Sequence, residues 1–344
     1  MFKEKNLVIL TGFVIGLAAL ILVAFGNPTN MGFCIACFIR DITGALELHT
    51  ANGLQYARPE IFGIILGSSL LALLNKEWRA TSGSAPVLRF VLGFFMMAGA
   101  LVFLGCPLRM VLRLGGGDGK AIFALLGFTG GIALGSFFLN KGFTLGRSYK
   151  QKTVDGIVLP IIAIVLAVFS FADLIGDASA AKHAPFFLSL GLALIVGGLA
   201  QRSRFCMVGG IRDYILFREN RLFLGSLTLF LTVLIGNIIL GNFHVSFTTD
   251  GSIWFFLSMA LVGLCGVLLG GCPLRQLILA GEGNGDSAIT VFGMVVGAAV
   301  SHNFSTASTP ALVKTGGKIE IVVGLIIVSL IGYVIISKQN KEVI

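Results

Sequence analysis

Cys34 and Cys37 stand three apart in "NMGFCIACFIRDITGA", residues 30–45, and Arg40 and Asp41 follow at once. Thiols at this spacing ligate zinc or exchange disulfides. A structural zinc takes four ligands. No second C-x-x-C and no H-x3-H accompanies the pair, so no metal is expected. A C-x-x-C at a helix N-terminus favours the thiolate, which keeps redox chemistry open.

The frame around these cysteines recurs. "GFCIACFIRD" (32–41) matches "RFCMVGGIRD" (204–213), and "GCPLRM" (105–110) matches "GCPLRQ" (271–276). Each of the latter runs into a glycine-rich turn, "GGGDG" (115–119) and "GEGNG" (281–285), which lacks the G-K-[ST] ending of a phosphate loop. The candidate residues therefore come in pairs: Cys34 with Cys206, Cys106 with Cys272, Arg40 with Arg212, Asp41 with Asp213, Pro107 with Pro273 and Arg109 with Arg275. Cys37 has no counterpart, because Gly209 takes its place. Cys265 lies inside a regular apolar run and reads as a small buried side chain.

These residue types suit a small anion. An anion entering the bilayer must exchange its water for donors. Each short segment begins near its cysteine, and a helix N-terminus offers free N–H groups and a partial positive charge. Pro107 and Pro273 suit a first helical turn. Arg40, Arg109, Arg212 and Arg275 supply guanidinium groups, and Asp41 and Asp213 orient them and temper the field, so that the anion is not trapped. Thiols are weak, soft and polarizable donors. Discrete weak sites let the cargo step from thiol to thiol.

The elements that hold these residues must be membrane helices. Of 344 residues, 56% are apolar and 12% charged, against about a quarter charged in soluble proteins. Ten full-length apolar spans are expected, at 7–25, 60–75, 87–104, 119–139, 154–174, 184–201, 222–240, 252–270, 287–304 and 319–336. Four segments, 33–46, 106–114, 205–217 and 272–280, are too short to span and are expected to be re-entrant, shielded by protein. The net charge of +9 lies in short loops, which disfavours a nucleic-acid partner. With the N-terminus inside, seventeen of the 25 basic residues face the cytoplasm, and the acidic loop "DLIGDASA" (173–180) faces outward. No signal peptide is evident, and both termini are expected inside. His49, His183, His244 and His302 fall at span ends. No acidic residue lies far inside a span, which disfavours a relay of buried carboxylates.

Five spans per copy is an odd number, so the second copy (176–344) is expected to be inverted relative to the first (1–175). The fold class is an all-α polytopic membrane protein: about ten spans plus four re-entrant helices, in an inverted tandem repeat around an hourglass-like path. Cys34, Cys37 and Cys106 would approach from outside, and Cys206 and Cys272 from the cytoplasm.

At the doubled "GCPLR" and "FC…IRD" the chain resembles the YeeE/YedE family of bacterial sulfur-transport membrane proteins. The "GFCIACFIRD" form is most similar to the YedE branch associated with selenium metabolism. The resemblance implies an inner-membrane permease that imports thiosulfate or a related selenium compound. It also implies that Cys34, Cys106 and Cys272 contact the cargo in turn, with Cys206 as the partner of Cys34. No cofactor is implied. The competing readings are a membrane sulfurtransferase or thiol redox protein using Cys34 and Cys37, and a component that hands cargo to a cytosolic sulfur or selenium carrier protein.

Soft donors predict a ranking. Thiosulfate and selenite should bind the detergent-solubilised protein more tightly than sulfate, and equal binding of sulfate would overturn the soft-donor reading.

Overall fold

The protein is described by a computed structural model, which covers residues 2–177, 179, 181–247, 251–310 and 312–342. Lys3 and Lys341 of the expected cytoplasmic set, and Ala178 and Ala180 of the acidic loop, lie outside the described residues or side chains. Fourteen helices follow one another among the described residues. The first seven are α1 (Phe2–Ala24), α2 (Ile35–Ala45), α3 (Pro59–Leu74), α4 (Pro86–Phe103), α5 (Pro107–Gly115), α6 (Lys120–Asn140) and α7 (Thr153–Phe171). The second seven are α8 (Phe186–Ser203), α9 (Met207–Phe217), α10 (Arg221–Ile239), α11 (Ser252–Leu268), α12 (Pro273–Gly281), α13 (Gly285–Asn303) and α14 (Thr315–Glu342). Two-residue strands β1 (Thr81–Ser82) and β2 (Tyr149–Lys150) pair antiparallel between loops.

Each seven runs long, short, long, long, short, long, long. Of the ten expected spans, eight helical stretches are long and apolar enough to cross a membrane among the described residues. Three of these carry a short helix as their continuation: α4 with α5, α8 with α9, and α11 with α12. The two expected spans that fall short are α3, with 16 residues, and α13, which carries Asp286, Ser287, Thr290, Ser301 and His302. The stretch holding α11 and α12 is 67% buried and α14 only 22%, so α11 and α12 lie near the centre and α14 at the rim.

The breaks have local causes. Proline opens α3, α4, α5 and α12, where a missing N–H costs nothing. Left-handed residues close the helices ahead of the cysteines: Leu104 (φ 66°) ends α4, Arg204 (φ 57°) ends α8, and Gly270 (φ 82°) follows α11. Leu104 takes this conformation where the other copy has glycine, so its backbone carries strain next to Cys106.

Inter-loop contacts sort the loops onto two faces. On one, Arg221 meets Glu4, Arg202 meets Glu77, the Arg79 N–H donates to the Glu282 carbonyl, and Gln339 donates to the Thr144 carbonyl. This face holds the ends of α1 and α14 nearest the termini and most of the basic loop residues. On the other, the Ala184 N–H donates to Asn27, His244 N–H to the Gly116 carbonyl, and Asn303 to the Leu48 carbonyl. Both flanks of α2 lie on this second face, and both flanks of α9 on the first.

The packing is reciprocal. With α1 to α7 matched in order to α8 to α14, α3 on α8 mirrors α10 on α1, α4 on α13 mirrors α11 on α6, and α2 on α13 mirrors α9 on α6. A two-fold relation produces this pattern. Every one of these pairs joins the first seven helices to the second, so the halves interleave. Close approach depends on glycine. A Cβ at Gly127 or Gly131 of α6 would meet the Phe256 or Ala260 carbonyl of α11, whereas one at Gly130 would meet nothing nearer than 4.0 Å. Gly131→Leu should therefore cost about 1–3 kcal/mol or more from overpacking, while Gly130→Leu is nearly neutral; thermal unfolding in detergent measures both.

Candidate functional site

Two thiol clusters form where short helices begin. Cys34 caps α2, and its Sγ accepts the Cys37 N–H at 3.4 Å. Cys37 Sγ lies 2.7 Å from Cys34 Sγ, and both are free thiols. Cys106 caps α5, touches the Cys34 thiol, and lies against the backbone N–H groups of Arg109 and Ala36. The second cluster is built alike. Cys206 caps α9, and its Sγ accepts the N–H of Gly209 at 3.3 Å and of Cys272 at 3.5 Å. Cys272 caps α12, touches the Cys206 thiol, and lies against the N–H groups of Arg275 and Met207. Pro107 and Pro273 occupy the first turns of α5 and α12, as their motif suggests. Cys265 is fully buried within α11, apart from both clusters. All five candidate cysteines are at most 5% exposed.

The arginines differ in their partners. Arg40 spends its Nε and Nη2 on Asp41 Oδ1 at 2.8 and 2.6 Å. Arg212 holds Asp213 at 2.8 Å, and Arg275 holds Glu282 at 3.3 Å. Arg109 has no carboxylate partner among the described residues. Its Nη1 lies 3.2 Å from Cys37 Sγ and also donates to the Leu104 carbonyl, and its buried Nε has no partner. A guanidinium so placed donates to sulfur and supports an anion or a thiolate beside it.

The sequence places Arg58 in an outer loop, but it is a fully buried member of this site. Its Nε bonds Asp41 Oδ2 at 2.7 Å, its Nη1 bonds Asn27 at 3.2 Å, and its Nη2 bonds the Lys182 carbonyl at 3.0 Å. Its guanidinium also stacks over Phe38 and Tyr56. Asn27 continues to Glu60 at 2.9 Å, and Glu60 also accepts from Ser189 at 3.2 Å. Glu60 sits in the first turn of α3, near a span end, yet is 0% exposed. No acidic residue is expected far inside a span, and Glu60 keeps to a span end, but that end is buried because α8 and the 25–34 segment cover it. The only sequence signal is the charged pair astride the helix-opening proline, Arg58-Pro59-Glu60. The repeat offers none, since α10 opens with Asn220-Arg221-Leu222.

His49 braces the end of α2 from the following loop. Burial holds its imidazole below the usual value, so it is neutral. Its Nδ1 accepts the Ala51 N–H and its Nε2 donates to the Arg40 carbonyl at 3.0 Å. A cavity of about 340 Å³ between α1, α5 and α10 is lined by Asn30, Asn237 and His244 and by none of the candidate cysteines or arginines.

The two Arg–Asp pairs should respond differently to removal of the carboxylate. Asp41 anchors two buried cations, and Asp41→Asn should cost about 3–5 kcal/mol in thermal unfolding. The Arg212–Asp213 pair is 25% and 18% exposed, and Asp213→Asn should cost under about 1 kcal/mol.

Comparison with known proteins bears on the second thiol cluster. No curated protein matches the chain. The family model described as "Sulphur transport" matches residues 202–338. The matched stretch contains "RFCMVGGIRD" and "GCPLRQ", and thus Cys206, Arg212, Asp213, Cys272 and Arg275. Over that stretch the chain is similar to sulphur-transport proteins.

Proposed function

We propose that this protein is a permease of a bacterial inner membrane that imports a small sulfur-containing anion, thiosulfate or a selenium analogue, through its two thiol clusters. The observation that carries the reading is Arg109. A cation at membrane depth needs an anion, and the partly buried Arg109, its Nε unpartnered, has no carboxylate among the described residues, while Arg40, Arg212 and Arg275 each do. An anion there would meet a guanidinium, the Cys37, Cys34 and Cys106 thiols, and the N-termini of α2 and α5 together. The sulphur-transport match over 202–338 fits the same reading.

In this reading α2 and α9 are re-entrant from opposite faces, and the two seven-helix copies are inverted. The face richer in lysine and arginine is cytoplasmic, which puts both termini inside. The Cys34 cluster is then the outer site and the Cys206 cluster the inner one. Arg275 is already balanced by Glu282, so the inner site holds an anion more weakly and favours release. The thiols are buried in both clusters, so small movements of α2 and α9 must admit and release the cargo.

Uptake of thiosulfate into proteoliposomes tests the reading. Arg109→Gln should lower it about 10- to 100-fold, the loss of a charged hydrogen bond. Cys106→Ala and Cys272→Ala should each lower uptake, and full uptake in both would overturn the stepwise passage.

The close approach of Cys34 and Cys37, with Arg109 on Cys37, favours a second reading, a sulfurtransferase. A Cys37 thiolate would attack the sulfane sulfur, the S–S bond of thiosulfate would break, sulfite would leave, and a persulfide would remain. Mass spectrometry after incubation with thiosulfate separates the two: a reproducible persulfide favours transfer over passage.

A further inference from the structure

The outer cluster is a closed charge system. Arg40, Arg58 and Arg109 supply three positive charges, and Asp41 and Glu60 supply two negative ones. Arg40 and Arg58 share Asp41, Arg58 reaches Asn27, and Asn27 reaches Glu60. Arg109 joins this cluster at Cys37, three residues before Arg40 on α2, with its Nη1 3.2 Å from the Cys37 Sγ. With both carboxylates ionised and the Cys34, Cys37 and Cys106 thiols protonated, the cluster carries one net positive charge. A dianion bound at Arg109 would turn this into one net negative charge, buried and uncompensated, which is costly. One proton restores neutrality.

Glu60 is built to take it. Oε1 accepts from Asn27 and Ser189, while Oε2 is buried and has no partner among the described residues. A proton on Oε2 would remove the charge and leave both bonds to Oε1 intact. Asp41 is unsuited, because its two oxygens are held by Arg40 and Arg58. The other groups near Glu60 do not substitute for it. Tyr56 stays a neutral phenol, since burial raises its hydroxyl above the usual value. Asp173 lies beyond Tyr56, and His183 stacks on the Tyr56 ring at 4.1 Å with its Nδ1 at the Ala184 carbonyl. Lys182 offers Arg58 only its carbonyl.

We propose that Glu60 takes up one proton when a dianion binds beside Arg109, so that anion binding and protonation are coupled. The inference rests on the anion reading of Arg109. Coupling is reciprocal: the dianion raises the proton affinity of Glu60, and the proton raises the affinity for the dianion.

Calorimetry of the full chain in detergent with thiosulfate, which stays a dianion throughout, tests this in two buffers of different protonation enthalpy. The expected result is uptake of about one proton per anion and binding that tightens as pH falls, by at most about tenfold per unit. Glu60→Gln, fixed in the neutral form, should bind as the unaltered protein does at low pH, with no proton uptake and no pH dependence. Tyr56→Phe should keep the proton uptake. Binding by the unaltered protein without proton uptake overturns the role of Glu60 and leaves the anion site standing, whether or not Glu60→Gln folds. Proton uptake that persists in Glu60→Gln also overturns it. No binding, or undiminished binding by Arg109→Gln, overturns the anion site and the coupling with it.

Discussion

A guanidinium buried at membrane depth must find negative charge, and this constraint organises the centre of the protein. Arg40 and Arg58 converge on Asp41, Arg212 meets Asp213, and Arg275 meets Glu282. Arg109 is held among thiols and a carbonyl. Helix starts carry these groups because their free N–H groups and dipoles add to the same positive field. α2 and α5 begin side by side, and there Cys34, Cys37 and Cys106 collect.

Reciprocal packing supplies the scaffold for two such sites. α3 on α8 and α10 on α1, or α4 on α13 and α11 on α6, are one contact used twice. Glycines on α6 let backbone carbonyls of α11 approach closely, so α11 and the short α12 that continues it are largely covered by protein. The two copies then diverge in charge. Asp41 is fully buried and shared by two arginines, whereas Asp213 is partly exposed and serves one. One cluster thus holds a guanidinium without a carboxylate among the described residues, Arg109, while Arg212 and Arg275 of the other are each paired.

The glycine at Gly209 and the thiol at Cys37 mark the same divergence. Cys37 is where Arg109 places its Nη1. Leu104 keeps a left-handed backbone there, where the other copy has Gly270, and its carbonyl is Arg109's second acceptor. Strain and an extra thiol thus gather on one side of an otherwise doubled frame.

The sequence by itself determined the helical class, the ten long and four short helices, and the doubling of the cysteine motifs, because hydropathy and motif spacing are local properties of the chain. It also identified Cys34, Cys106, Cys206 and Cys272, because repetition marked them. It did not reveal that Arg58 and Glu60 belong to the site. Both lie at a span end, where water is the local expectation, and only α8 and the 25–34 segment folding over that end removes it. Nor did it separate Arg109 from Arg275, since both stand in the same G-C-P-L-R. Their difference is a partner: Glu282 lies seven residues beyond Arg275 and meets it, whereas the corresponding position after Arg109 is Gly116. That comparison was available in the sequence. Whether the two side chains touch was decided by the fold, because the α12 turn brings Glu282 back to within 3.3 Å of Arg275.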